Sequence, residues 1–68
     1  MIKHKKSFGI YHWDTFDNET LLIAEADTLL EAEEAIKARY AGRLGPHGAD
    51  QVDIVDKKGN IVRKFSVS

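Results

Sequence analysis

The sequence contains no cysteine and a single proline in 68 residues. Without cysteine the chain has no disulfide, no thiol nucleophile and no thiolate ligand for a metal. The lack of cysteine fits a reducing compartment, and the basic N-terminus is not followed by an apolar segment long enough for a secretory signal. We therefore expect a cytoplasmic protein.

Long hydrophobic runs and an excess of charge are also missing. The longest nearly uncharged apolar run, Thr20 to Ala24, is far too short to cross a bilayer, so we expect no membrane association. Ten Lys and Arg balance eleven Asp and Glu, which gives a formal net charge of −1. This balance makes nucleic acid an unlikely partner, because such binders depend on excess positive charge.

The length leaves room for one small domain, residues 1–68, of which we expect 1–5 to be flexible. Aromatic and β-branched residues alternate in two pairs of segments separated by turn-forming residues. The first pair predicts a hairpin of strands 6–13 and 19–26. The second pair predicts strands 51–56 and 61–67, joined by a type I turn with Gly59 in the left-handed conformation.

A helix is predicted between the hairpins, from about residue 29 to 41. Thr28 and Glu31 form a capping box in which each side chain accepts a backbone N–H of the other residue. Pro46 prevents the helix from resuming. The order β-β-α-β-β predicts an α+β fold: a four-stranded, mainly antiparallel sheet with one helix packed on one face.

Two registers of the second hairpin remain open. If Asp56 pairs with Asn60, one face collects Val52, Ile54 and Val62. A slip of one residue would instead place Asp53 opposite Lys64. One face would then collect Val52, Ile54, Ile61 and Phe65.

One helix covers only one face of a sheet, yet this sequence is apolar on both. Alternation along the first strand puts Phe8 and Ile10 on one side, and Tyr11 and Trp13 on the other. The uncovered apolar residues have two interpretations. They are the ordinary apolar surface of a small protein, or they form a contact surface for a second copy or another protein.

The histidines are the candidate bases and metal ligands. His12 and Asp14 lie on the same side of the first strand, but with the distant His4 and His47 they match no compact metal motif. We expect His12 to be a strand residue with its polar edge in water, and Asp14 to serve the turn. No nucleophile motif is present, so we predict that the protein is not an enzyme and has no cofactor or metal.

The positive residues of the two hairpins suggest an alternative. If the first and last strands are neighbours, their lysines and arginine would lie near exposed Tyr11 and Trp13. Aromatic side chains flanked by cations stack the bases of single-stranded nucleic acids. The other interpretation is that the cations solvate the sheet edges and discourage edge-to-edge pairing.

The order of these signals resembles small bacterial domains of uncharacterised function with a β-β-α-β-β layout. The features that carry the resemblance are the aromatic first strand, the Thr28-x-x-Glu31 helix start and the Asp56-x-x-Gly59-x-Ile61 hairpin. The resemblance implies the fold class and supplies no functional residues. The glycine-rich stretch 42–48 is not part of that layout.

We therefore predict a non-catalytic module for protein interaction or self-association, with weak binding of single-stranded nucleic acid as the alternative. Either function would use the uncovered face. A protein partner or a second copy is the expected ligand, and the sequence names no small molecule. The candidate surface residues are Tyr11, Trp13, Phe16, Leu22, Lys5, Lys6, Arg63 and Lys64.

Overall fold

Four strands and one helix follow one another in the predicted β-β-α-β-β order. The computed structural model describes residues 3–46 and 48–68, so His47 lies outside the described residues. The α+β fold class is confirmed, and the second and fourth strands have the predicted bounds. The elements are β1 (Phe8–Asp14), β2 (Glu19–Ala26), α1 (Leu29–Arg39), β3 (Asp50–Val55) and β4 (Ile61–Val67).

The strands form one sheet in the order β2-β1-β3-β4, with every neighbouring pair antiparallel. Since β2 and β3 are both antiparallel to β1, they are parallel to each other, and α1 connects them across the sheet. β3 lies between β1 and β4. The first and last strands are therefore not neighbours, which was the condition for a shared positive patch.

The start of α1 confirms the predicted N-cap. The Thr28 hydroxyl accepts the backbone N–H of Glu31 at 3.1 Å, while the Glu31 carboxylate accepts the N–H of Asp27 at 3.4 Å rather than that of Thr28. The helix ends at Arg39, two residues earlier than expected, because Tyr40 leaves the helical conformation at φ −114° and ψ 32°. That change of direction carries Tyr40 into the core.

The core lies between α1 and one face of the sheet. Ala32 and Ile36 of the helix are fully buried against the central strands. Burying a side chain of the size of isoleucine contributes about 1.5–3 kcal/mol, so this face holds most of the stability of the domain. The buried residues of the cluster are Ile10, Ala26, Ala32, Ile36, Tyr40, Val52, Ile54 and Val67.

The turn of the second hairpin follows the first of the two predicted registers. The Asp56 N–H donates to the Asn60 carbonyl at 2.9 Å, and Val55 pairs with Ile61. Gly59 has a φ of 88°, which confirms the left-handed position predicted for it.

Farther from the turn the same hairpin follows the second register. A bulge leaves Val62 without a partner, and beyond it Asp53 pairs with Lys64 and Val52 with Phe65. Both Val62 and Phe65 therefore pack against the core. The sequence left these two registers as alternatives. Each holds in one part of the hairpin, because the bulge shifts the pairing by one residue.

The glycine-rich stretch after the helix lies along the end of β4. Leu44 forms an isolated bridge with Val67, and the Gly45 N–H donates to the Ser66 carbonyl at 3.2 Å. Gly48 lies so close to the backbone of Val67 that a Cβ at this position would collide with it. The stretch therefore covers the outer edge of β4 near its C-terminal end.

Candidate interaction surface

The distal face is the side of the sheet turned away from α1. His12 faces the helix, because its Nδ1 lies 2.6 Å from the Tyr40 hydroxyl. Its neighbours Tyr11 and Trp13 therefore point to the distal face, as side chains alternate along a strand. Leu22 pairs with Tyr11 and lies on the same face. The face left uncovered by the helix thus carries these three apolar residues.

The N-terminal segment, residues 3–7, covers one end of the distal face. The His4 imidazole stands over Gly9, where an added Cβ would lie only 2.5 Å from His4 Nδ1. The same nitrogen lies 3.0 Å from the Tyr11 hydroxyl. Tyr11 is consequently only 4% exposed. The prediction of an exposed Tyr11 is wrong, because the chain folds its own N-terminal segment over that ring.

Charged side chains hold this segment by its backbone. The Glu25 carboxylate accepts the N–H groups of Lys5 and Lys6, the latter at 2.9 Å. The Lys57 ammonium donates to the Lys5 carbonyl at 2.5 Å. The two amide hydrogen bonds favour the charged carboxylate and hold the pKa of Glu25 below its usual range. Burial, followed by the negative charge of Glu25, raises the pKa of Tyr11.

The other end of the distal face, beside the β1–β2 turn, is exposed. Trp13 is 44% exposed and Phe16 is 94% exposed. Asp14 fixes this turn, because its Oδ1 accepts the N–H groups of Phe16 at 2.9 Å and Asp17 at 3.2 Å. The turn role expected for Asp14 is confirmed, and it presents the Phe16 ring to solvent.

Exposed large apolar side chains concentrate at this end of the molecule. Leu21 pairs with His12 and so lies on the helix side of the edge strand β2, where it is 47% exposed. The remaining exposed large hydrophobics of the described residues, Leu30, Leu44 and Ile61, lie on three different elements. We call the set at the turn end the hairpin patch. It consists of the exposed Trp13, Phe16 and Leu21 together with the half-buried Leu22.

The predicted cations do not join this patch. Arg63 lies on the helix face, where its Nε is 3.7 Å from a Glu33 oxygen. Lys64 is on the far edge strand opposite Asp53. Lys5 and Lys6 belong to the N-terminal segment at the other end of the distal face. The structure therefore distributes these cations over three places, and none of them belongs to the hairpin patch.

A polar cluster joins the end of α1 to β1 and β3. His12 Nε2 lies 3.0 Å from Asp50 Oδ2, and the Thr15 hydroxyl donates to Asp50 Oδ1 at 2.9 Å. With the Tyr40 contact, both ring nitrogens of His12 have protein partners, so the expectation of a wet polar edge is wrong. Hydrogen bonds from His12 and then Thr15 lower the pKa of Asp50.

The side chains of this cluster are of the types found in proton relays, but their positions are those of a structural contact. Tyr40, at its inner end, is only 3% exposed, and the Arg43 guanidinium lies 5.5 Å from the centre of its ring. Within residues 3–46 and 48–68, no group of three or more His, Asp or Glu side chains is arranged to hold a metal. We therefore assign the cluster to holding the helix end on the sheet.

Comparisons with protein-family models, with curated proteins and with solved structures found no match. In the part of the chain that the structure describes, no helix is long and apolar enough to cross a bilayer. The function of this chain is therefore inferred from its own surface, where the hairpin patch is the feature that the fold leaves unexplained.

Proposed function

We propose that this protein is a non-catalytic interaction module that associates with protein, including a second copy of itself, through the hairpin patch. The observation that carries the proposal is the exposure of Trp13 and Phe16, with Leu21 exposed on the other face at the same end of the hairpin. Turns favour polar residues and glycine, so a phenylalanine held in solvent contributes nothing to the turn itself. We expect a cytoplasmic location and no cofactor.

Burial of this patch would favour association. A fully buried aromatic or aliphatic side chain contributes about 1.5–3 kcal/mol relative to an exposed one. Since Trp13, Phe16 and Leu21 are already fixed by a strand, a turn and an edge strand, a partner would order little additional chain. Exposed apolar side chains clustered at one end of a protein are typical of protein contact sites.

Two observations favour protein over single-stranded nucleic acid as the partner. His4 covers Tyr11, which leaves Trp13 as the exposed aromatic ring of β1. Stacking of successive bases needs several exposed rings along a positive groove. Arg63, which would line such a groove, contacts Glu33 on the opposite face.

The proposal is tested by the molar mass in solution, measured by light scattering over a wide concentration range. We expect the wild-type mass to rise with concentration and the double variant Trp13→Ser/Phe16→Ser to remain closer to one chain. Leu30→Ser is the control, because Leu30 is 66% exposed on the helix and outside the patch. A wild-type mass of one chain throughout, or an equal loss in Leu30→Ser, would contradict the proposal.

A further inference from the structure

The two edges of the sheet are protected differently. Natural edge strands carry lysine, proline, bulges or a covering loop, which discourage pairing with another chain. β4 has Arg63, Lys64 and the bulge at Val62, and its end is covered by Leu44. The contrast leaves the opposite edge, β2, as the one open to pairing.

β2 has few of these protections. It spans eight residues, the longest strand of the sheet, and contains no lysine, arginine or proline. Its irregularity is a bulge at Ile23, in the second half of the strand. In the sheet of described residues, β1 is its neighbour on one side and no strand lies on the other. The first half of β2 is therefore a regular, exposed edge.

Apolar side chains flank this edge on both faces of the sheet. Leu21 lies on the helix side, and Leu22 lies on the distal side, opposite Tyr11. A strand added to β2 would pair with its backbone and bring side chains against both leucines at once. Main-chain pairing supplies affinity at such an edge, and the alternating side chains supply specificity.

The distribution of charge indicates how a second copy would be oriented. The turn end of β2 carries three carboxylates and no cation, namely Asp14, Asp17 and Glu19. The other end holds Lys5 and Lys6 beside Glu25 and Asp27, so it is much less negative. Parallel pairing would bring the acidic turns of two copies together, whereas antiparallel pairing places each beside the partner's lysines.

We infer that β2 pairs antiparallel with β2 of a second copy about a two-fold axis, which extends the sheet across both molecules. This inference rests on the proposed function and specifies that the protein partner is a second copy of this chain. An axis at Leu21 puts the two Leu21 side chains opposite each other and Leu22 opposite Thr20. The acidic turn of each copy then lies near the end of the other copy's β2, where Lys5 and Lys6 contact Glu25.

The test compares two leucine-to-lysine variants of equal charge. Leu21→Lys places a cation in the centre of the pairing edge, while Leu30→Lys places one on the exposed helix surface. We expect the wild type and Leu30→Lys to approach the mass of two chains, and Leu21→Lys to remain at one. Amide hydrogen exchange in β2 should slow with rising concentration in the wild type, with little change in β4.

A second pair of variants covers the case in which Leu21→Lys does not fold. Asp17→Lys reverses an exposed charge in the turn that the antiparallel arrangement brings near the partner copy's Lys5 and Lys6, whereas Glu34→Lys reverses one on the helix. We expect weaker association for Asp17→Lys than for Glu34→Lys, with the difference reduced by salt. Equal association of these two variants would overturn the antiparallel arrangement.

The outcomes separate the inference from the proposed function. If Trp13→Ser/Phe16→Ser lowers the mass while Leu21→Lys does not, and β2 exchange is independent of concentration, the edge pairing is wrong and the interaction module stands. If the wild type remains a single chain at every concentration, both are wrong.

Discussion

The two faces of the sheet are covered by different kinds of contact. On the helix face, aliphatic side chains such as Ile36 and Ile54 are buried to 1% exposure or less. On the distal face, a short segment is held over Tyr11 by hydrogen bonds to Glu25 and Lys57, and the turn end is left exposed. The difference indicates that the helix face supplies most of the stability, and the proposed association is assigned to the exposed turn end.

The largest expected effect comes from deleting core volume on the helix face. Ile36→Ala should cost about 2–5 kcal/mol, because it removes buried contacts and leaves a cavity. That loss is comparable to the roughly 3–5 kcal/mol available to a domain of this size. Trp13→Ala on the distal face should cost much less. Urea denaturation followed by circular dichroism measures both, and equal losses would contradict the division between the faces.

The next largest expected effect is a difference in stability loss between two tyrosine–histidine contacts, one on each face. Tyr40→Phe removes the hydroxyl that contacts His12 Nδ1, and Tyr11→Phe removes the hydroxyl that contacts His4 Nδ1. We expect Tyr40→Phe to cost about 1–2 kcal/mol, because it leaves Nδ1 of the part-buried His12 without its hydroxyl partner. Tyr11→Phe should cost less, since the N-terminal segment can move to rehydrate His4. The same denaturation experiment ranks them, and the reverse order would contradict this account.

Acid should weaken contacts on both faces. Glu25 and Asp50 have pKa values lowered by hydrogen bonds in the folded state, so the unfolded chain binds protons more readily. The stability they supply is present above the unfolded values, near pH 4, and is lost as pH falls through the folded values. We expect the urea midpoint to fall between about pH 5 and pH 2. The fall should be smaller in Glu25→Gln and Asp50→Asn, and a fall unchanged in both would contradict the assignment.

The smallest expected effect concerns nucleic acid. Because the cations are separated from Trp13, a single-stranded oligonucleotide should leave Trp13 fluorescence nearly unchanged even at low salt. Strong quenching that disappears as salt is added would instead favour binding of single-stranded nucleic acid and would assign the distal face to that function.

Much of the fold could be predicted from local sequence patterns. The bounds of β2 and β4, the Thr28 cap and the Gly59 turn each depend on residues close together in the chain. The two registers of the second hairpin were both partly right, since a bulge is a local insertion that the alternation of apolar residues cannot place.

The contacts that shape the site could not be predicted in the same way. His12 contacts Tyr40 and Asp50, which lie 28 and 38 residues farther along the sequence. No local sequence motif predicts either contact. The burial of Tyr11 depends on a segment that folds back over Gly9. Strand alternation placed Tyr11 and Trp13 on one face but did not decide which face the helix covers, and the structure shows that Trp13 and Phe16 are exposed.

The most direct test uses Trp13, the single tryptophan of the chain, as a reporter within the hairpin patch. Its emission is recorded while concentrated protein is diluted stepwise, with the molar mass followed in parallel. Association through the patch predicts that the emission moves to longer wavelength as the mass falls toward one chain, because dilution returns the indole to water. An emission maximum that stays constant from the highest to the lowest concentration would show that this surface meets no second copy.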